Sequence, residues 1–295
     1  MSVKIQLLLC YTISIQMFWR RFFMNIGVIS DLHVDRYHND EINETTFLRE
    51  VSNEVNRLSL DLFIIAGDVS NHHVKTHDFI EAVEMMTGVK VLFIPGNHDF
   101  WNFDSDNKSS WEIYDYFKQQ PESLLERPYI INDEWAIVGS PAWYDYSFAS
   151  EKYSYEDLER RAFKGGHWQD KFYVDFKISD IDVANYFAEL TKKDLEKVKD
   201  KKIILVTHVA TNKKFRVPMP HKIFDYYNAY MGTTKYDEFY SEYDIKYSIS
   251  GHIHFRYSFI ENGVTFICAC LGYRREWRTK EIVQEIRDAM YVIQI

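Results

Sequence analysis

The sequence predicts an α/β fold whose strands deliver polar side chains to one edge of a layered structure. Three observations point to it. Five short, β-branched apolar runs each end in a polar cluster, the pattern of buried parallel strands. Helically spaced stretches separate several of these runs. The clusters also draw on the same carboxylate, imidazole and amide side chains, and in open α/β sheets such groups gather beyond the carboxyl ends of the strands.

In chain order, the run 25–30 closes in Asp31-Leu32-His33, and 61–66 closes in Gly67-Asp68. The run 90–95 closes in Gly96-Asn97-His98-Asp99, 202–206 in Thr207-His208, and 246–250 in Gly251-His252-Ile253-His254. Residues 41–57 put Phe47, Leu48, Val51 and Val55 on one face of a helix, completing a βαβ unit. A second helix is expected over about 76–86. Helical crossovers of this length imply right-handed connections in a layered α/β/α or sheet-sandwich domain.

Strands 129–132 and 136–140, about an Asp133-Glu134 turn, predict a hairpin continuing the same sheet. Ser179 caps the longest helical stripe, which runs through Ile181, Ala184, Phe187, Ala188, Leu195 and Val198. An aromatic helix is expected over about 221–230. Runs 264–270 and 289–293 are expected to belong together in a second sheet. Residues 144–176 lack a period, are rich in Tyr, Phe and Trp, and are expected to form an aromatic lid.

The 295 residues, 46% hydrophobic and 27% charged, suit one globular domain, expected over 24–295. A formal charge of −9 disfavours tight nonspecific binding of duplex nucleic acid. Bound cations would locally reverse that sign, so anionic substrates remain compatible. Three cysteines form no disulfide framework, which suits a reducing cytoplasm. Cys268 and Cys270 are expected to share one face of a strand as buried thiols, with a redox or zinc pair as the other reading.

Residues 1–23 do not fit the domain. The apolar stretch 5–19 is shorter than the roughly 20 residues of a spanning helix and lacks the flanks of a signal peptide. The segment is read as a start placed too early or an appended stretch, with a peripheral membrane anchor or a packing element as the alternatives. No integral membrane span is expected.

Asp31, Asp68, Asn97, His33, His208, His252 and His254 form an oxygen–nitrogen donor set without thiolate. Such donors suit Mn, Fe or Zn foremost, and disfavour an iron–sulfur cluster or a structural zinc site. Seven donors exceed what one tetrahedral ion takes, so two divalent transition-metal ions are implied, with one carboxylate bridging. Two cations about 3.5–4 Å apart lower the pKa of a shared water and clamp phosphoryl oxygens.

The ordered series D-x-H, G-D, G-N-H-D, lone His and G-H-x-H resembles the calcineurin-like metallophosphoesterase superfamily, from Asn25 to about Arg256. The resemblance implies a β-sandwich flanked by helices, with the metal site at the carboxyl ends of the strands. It assigns Asp31, His33 and His254 to one ion and Asn97, His208 and His252 to the other, with Asp68 bridging. It places His98 beside the substrate, near the leaving group or a phosphoryl oxygen.

The implied activity is hydrolysis of a small phosphodiester or phosphomonoester by a metal-bridging hydroxide. A nuclease on single-stranded nucleic acid and a metal-poor protein-binding scaffold are the alternatives. The protein phosphatase branch continues G-D-x-x-D-R-G, whereas here the text is Gly67-Asp68-Val69-Ser70-Asn71-His72-His73. The Asp that orients the catalytic histidine is thus Asn71, and the phosphate-gripping Arg is missing. Small diesters or nucleotides are therefore expected ahead of phosphoprotein, and adjacent Asp99 becomes the candidate to orient His98.

Other residues carry two readings each. Trp143, Tyr144 and Tyr146 pack within the lid or stack on a substrate ring. Lys213, Lys214 and Arg216 are solvated or meet a distal phosphate. Arg274, Arg275 and Arg278 are solvated or touch nucleic acid. His72, His73 and His77 start a helix or approach the site, and His38, His167 and His221 are read the same way.

Overall fold

The computed structural model describes residues 23–36, 42–101 and 108–295. The segment 1–22 and His38 lie outside the described residues.

The first layer is built by β1 (Asn25–Ile29), α1 (Glu44–Arg57), β2 (Leu62–Ile65), α2 (His73–Thr87) and β3 (Lys90–Phe93). β1, β2 and β3 are parallel and in register. α1 starts where the Asn43 side chain accepts from the Thr46 N–H, and it buries Phe47, Val51 and Val55. α2 starts earlier than its apolar spacing suggested, because the His72 ring accepts from the N–H groups of Val74 and Lys75. It stops at Gly88, whose φ of 67° only glycine adopts without strain.

The next elements are α3 (Ser110–Lys118), β4 (Tyr129–Ile130), β5 (Trp135–Ser140), α4 (Tyr155–Glu159), β6 (Ala162–Phe163), β7 (Gly166–His167) and α5 (Asp170–Tyr173). Then come α6 (Asp180–Lys197), β8 (Lys202–Thr207), α7 (Phe224–Tyr227), α8 (Phe239–Glu242) and β9 (Ile245–Ser250). The chain closes with β10 (Arg256–Glu261), β11 (Val264–Ala269), α9 (Ile282–Ala289) and β12 (Tyr291–Gln294).

Two larger sheets result, in the orders β12-β1-β2-β3 and β10-β11-β9-β8-β5-β4. Strand alternation makes the sandwich. Ile26, Val28, Leu62 and Ile64 of the first sheet meet Ile137, Ile204, Val206, Ile249 and Ile267 of the second in one buried apolar layer. The opposite faces (Ile29, Phe63 and Ile65 on one sheet, Val138, Ile203 and Leu205 on the other) join the core under the helices. α1 lies against α2 and α9, and α6 lies on β5. Beyond β1 and β11 the sheets are stitched together, since Ser30 donates to the Ala269 carbonyl and Leu271 donates to the Ser30 carbonyl.

Three expectations need correction. The 129–140 hairpin does not continue the first sheet: β5 pairs in parallel with β8 and lies in the second sheet. The two C-terminal strands separate, β11 beside β9 and β12 antiparallel to β1. Their apolar patterns are alike, and only the intervening α9 carries the chain back across the sandwich. The 221–230 helix shrinks to α7 plus a 3-10 turn over Asn228–Tyr230.

The 144–176 segment is packed into the protein at its start. Trp143 and Tyr144 are buried; the Trp143 indole donates to Asp180 and the Tyr144 hydroxyl to Asp170. Tyr146 also reaches Asp180, so all three pack rather than stack on a ligand.

Candidate metal centre

The strand ends fix where the candidate ligands point. Asp31, His33, Asp68, His252 and His254 all have left-handed backbones, with φ between 45° and 71°. Few non-glycine residues adopt that region, and they concentrate at functional sites. The residues of D-x-H and H-x-H therefore do not act from extended strand: each turns inward on its own left-handed kink. Neighbouring backbone holds the kinks, with His33 N–H on the Asp68 carbonyl and Gly251 N–H on the His208 carbonyl. Glycine is needed at 96 for space, since a Cβ there would lie 2.2 Å from Asp68 Oδ1.

Two donor groups form, and both contain Asp68. Asp31, His33, Asp68 and His254 gather on one side, and Asp68, His208 and His252 on the other. Asn97 joins the second group, its Oδ1 lying 2.8 Å from His252 Nδ1 and 3.2 Å from His208 Nε2. Of the seven, only His254 is noticeably open to solvent, its side chain 15% exposed.

The surrounding hydrogen bonds decide which atoms face inward. His208 Nδ1 donates to the Ala66 carbonyl at 2.9 Å, and His252 Nε2 donates to the Tyr230 carbonyl at 2.8 Å. His254 Nδ1 donates to Glu276 at 2.7 Å, and Asn97 Nδ2 donates to Asp170 at 2.9 Å. On the Asn97 side this turns the His252 lone pair toward the Asn97 oxygen and His208 Nε2 toward the Asp68 carboxylate. The His252 Nδ1–Asn97 Oδ1 approach thus sets two acceptors against each other, which a cation between them resolves. Outer partners fixing the tautomers of inner nitrogens are characteristic of metal sites. The donor set therefore fits two divalent ions.

The titration of the cluster agrees. Burial depresses an imidazolium, yet the Asp68 carboxylate lifts His208 to about 9, and hydrogen bonds to Asp31 and Glu276 lift His254 to about 10. Burial would raise the Asp31 and Asp68 carboxyls, but the charged rings hold both well below the usual range. His33, lacking such a dominant partner, is driven down to about 3, chiefly by burial. Protons on His208 and His254 occupy the places that cations would take.

His98 stands beside the donors, with Nε2 3.9 Å from Asp68 Oδ2 and 3.3 Å from the Tyr273 hydroxyl. Its Nδ1 lies 2.7 Å from Asn71 Oδ1. The histidine-orienting position of the second motif thus keeps its place as an amide, and Asp99 does not take it over. Asp99 turns inward instead, accepting from the backbone N–H groups of Asp68, Val69, Ser70 and Gly96 and from the Thr76 hydroxyl. Burial first, and the Asp68 charge next, push its carboxyl up to about 7.

Several groups here escaped the sequence reading. Asp170 accepts from Asn97, Trp101, Tyr144 and Trp168, though it sits in an aperiodic stretch. Arg36 places its guanidinium carbon 4.8 Å from the Tyr273 ring centre and 5.6 Å from that of Trp101. The run D-x-H-x-x-R was the only signal for it. His72 caps α2 and His221 caps the turn before α7, and both His72 and His167 line the groove over the donors. Lys214 is paired with Glu261, whereas Arg274 and Arg275 border that groove. Cys268 and Cys270 are buried free thiols, as expected.

Comparison with known proteins identifies the family. The model of the calcineurin-like phosphoesterase family matches residues 24–256. An acyl-carrier-protein phosphodiesterase, PptH, of Mycobacterium tuberculosis is 24% identical over 286 residues, covering 90% of this chain and 83% of that protein. The crystal structure of the phosphopantetheinyl hydrolase PptH from Mycobacterium tuberculosis superposes with a TM-score of 0.71 at 22% identity, covering 91% of this chain and 95% of that one. Among the described residues, no helix is long and apolar enough to cross a membrane. With its β-sandwich and its paired donor clusters, the chain belongs to the calcineurin-like phosphoesterase family and is a metal-dependent hydrolase of phosphoric esters.

Proposed function

We propose that the chain hydrolyses a phosphodiester that joins a small prosthetic arm to a protein, with Asp31, His33 and His254 holding one ion, Asn97, His208 and His252 the other, and Asp68 shared. The observation carrying the ligand assignment is the convergence of His208 Nε2, His252 Nδ1 and Asn97 Oδ1 beside Asp68, with no proton to separate His252 Nδ1 from Asn97 Oδ1. When bound, two divalent cations activate a water and draw negative charge from the phosphoryl oxygens. Manganese, iron or zinc suits these donors.

The chain's own groups position the ester. Asn71 fixes the His98 ring by accepting from Nδ1, leaving Nε2 toward the site. Burial keeps the free His98 ring neutral, its pKa well below the ordinary value. An arriving phosphate anion raises it, so that His98 takes up a proton and passes it to the departing oxygen. Arg36, held between Trp101 and Tyr273, supplies the phosphate-gripping guanidinium that the second motif lacks.

The substrate class rests on the acyl-carrier-protein phosphodiesterase relative and on the size of the groove. The groove of about 1680 Å³ over the donors is walled by Trp101, Trp168, Tyr173 and Tyr227, more room than a simple monoester requires. We place this activity in the cytoplasm, where the buried thiols stay reduced, and assign it to one domain spanning 24–295.

The test is to incubate the manganese-loaded protein with a holo acyl carrier protein and follow release of the phosphopantetheine arm by mass spectrometry. Release, with a phosphoserine peptide left intact, supports the reading. Turnover of the phosphoserine peptide as fast as the diester would overturn it.

A further inference from the structure

A second groove, of about 510 Å³, opens from the metal groove on the far side of His254. The two share Phe215, Ile253, His254, Phe255 and Glu276, so the grooves adjoin. The second groove is lined by two kinds of side chain. Phe255 and Tyr257, 49% and 56% exposed, offer apolar surface on and beside the edge strand β10. Arg216 and Arg278 offer charge, and among the described residues neither has a carboxylate partner. The other cations lining it are committed elsewhere, Lys214 to Glu261 and Arg256 to Glu285. Around the metal groove, Lys75 and Arg274 likewise lack a carboxylate among the described residues.

Uncommitted cations beside exposed aromatic rings, in a chain of net charge −9, are a local reversal of the molecule's sign. Such reversals steer and orient partners of opposite charge. We propose that the Arg216–Arg278 groove docks an acidic, partly apolar surface of the protein that carries the diester. This rests on the protein-linked reading given above. A folded protein meets the groove with a short acidic stretch and with apolar side chains for Phe255 and Tyr257. A polynucleotide would bring a long run of phosphates past a chain that is acidic overall, and binding it takes a continuous basic track.

The test compares the metal-loaded wild type with the Arg216→Glu/Arg278→Glu double variant. Neither residue touches the donor clusters, so kcat/KM on bis(p-nitrophenyl) phosphate should stay within about twofold, which also reports that the variant is folded and loaded. On holo acyl carrier protein, KM should rise about tenfold or more with kcat little changed, and wild-type KM should itself climb with salt. The Kd of apo acyl carrier protein, which has no arm to cleave, should weaken in parallel.

Binding of the apo carrier that the variant loses, without cleavage of the holo form, would leave the docking groove standing and remove the substrate reading. Carrier binding that is undetectable in the wild type, or equal in both proteins, would overturn the docking groove. So would a single-stranded oligonucleotide whose binding the double variant abolishes while the carrier is unaffected.

Discussion

Asn71 Oδ1 lies 2.7 Å from His98 Nδ1, so an uncharged amide holds the ring where the protein phosphatase pattern has a carboxylate. A carboxylate there would favour the imidazolium, whereas the amide fixes orientation alone. Asn71→Asp should therefore raise the pKa of His98 and carry the basic limb of the kcat profile to higher pH. Asn71→Ala should leave metal content intact and lower kcat without moving that limb. Coincident profiles for wild type and Asn71→Asp would contradict the contact.

His98 itself should matter in proportion to the leaving group. A positioned general acid contributes about 10²–10⁴-fold. His98→Ala should lose that much on an alkyl phosphodiester and far less on a p-nitrophenyl ester, with both metals retained. Equal losses on the two substrates would instead favour stabilisation of a phosphoryl oxygen.

Asp170 sets the direction of the Asn97 amide, since its Oδ1 accepts from Nδ2 at 2.9 Å. Removing such an outer partner lowers metal affinity about 10–100-fold. Asp170→Ala should weaken the ion of the Asn97 group selectively, seen as two separated steps in a metal titration. Unchanged binding of both ions would show that Asn97 keeps its orientation without help.

Asp99 braces the Gly67-Asp68 turn by accepting from four backbone N–H groups and the Thr76 hydroxyl. Above about pH 7, where Asp99 is ionised, hydrogen bonds to such a charged acceptor contribute about 1.5–3 kcal/mol. Asp99→Asn sets an amide against donors and should reduce unfolding free energy by about 2–3 kcal/mol, measured by denaturant. Thr76→Val should cost less, and a fully stable Asp99→Asn would refute the brace.

The line between what was legible and what was not follows sequence distance. Asp31, Asp68 and His252 sit at the ends of strands whose apolar runs are plain, so a local pattern announces both the strand and its candidate ligand. Asp170 reaches the site only through tertiary packing from a segment without period, and Arg36, three residues past His33, had no signal beyond the run D-x-H-x-x-R. The opposite fates of β11 and β12 were hidden for the same reason: local hydropathy marks a strand without naming its neighbour. The left-handed kinks at the ligands were masked as well, because Asp and His do not advertise positive φ as glycine does.

In the proposed centre, Asp68 ties two cations together. The protein loaded with Mn²⁺ should bind two ions per chain by elemental analysis and give an exchange-coupled electron paramagnetic resonance signal, as ions about 3.5–4 Å apart do. Asp68→Asn should lose metal content, coupling and phosphodiesterase activity together. One ion per chain, two magnetically isolated ions, or an Asp68→Asn variant with full occupancy and normal turnover would contradict it.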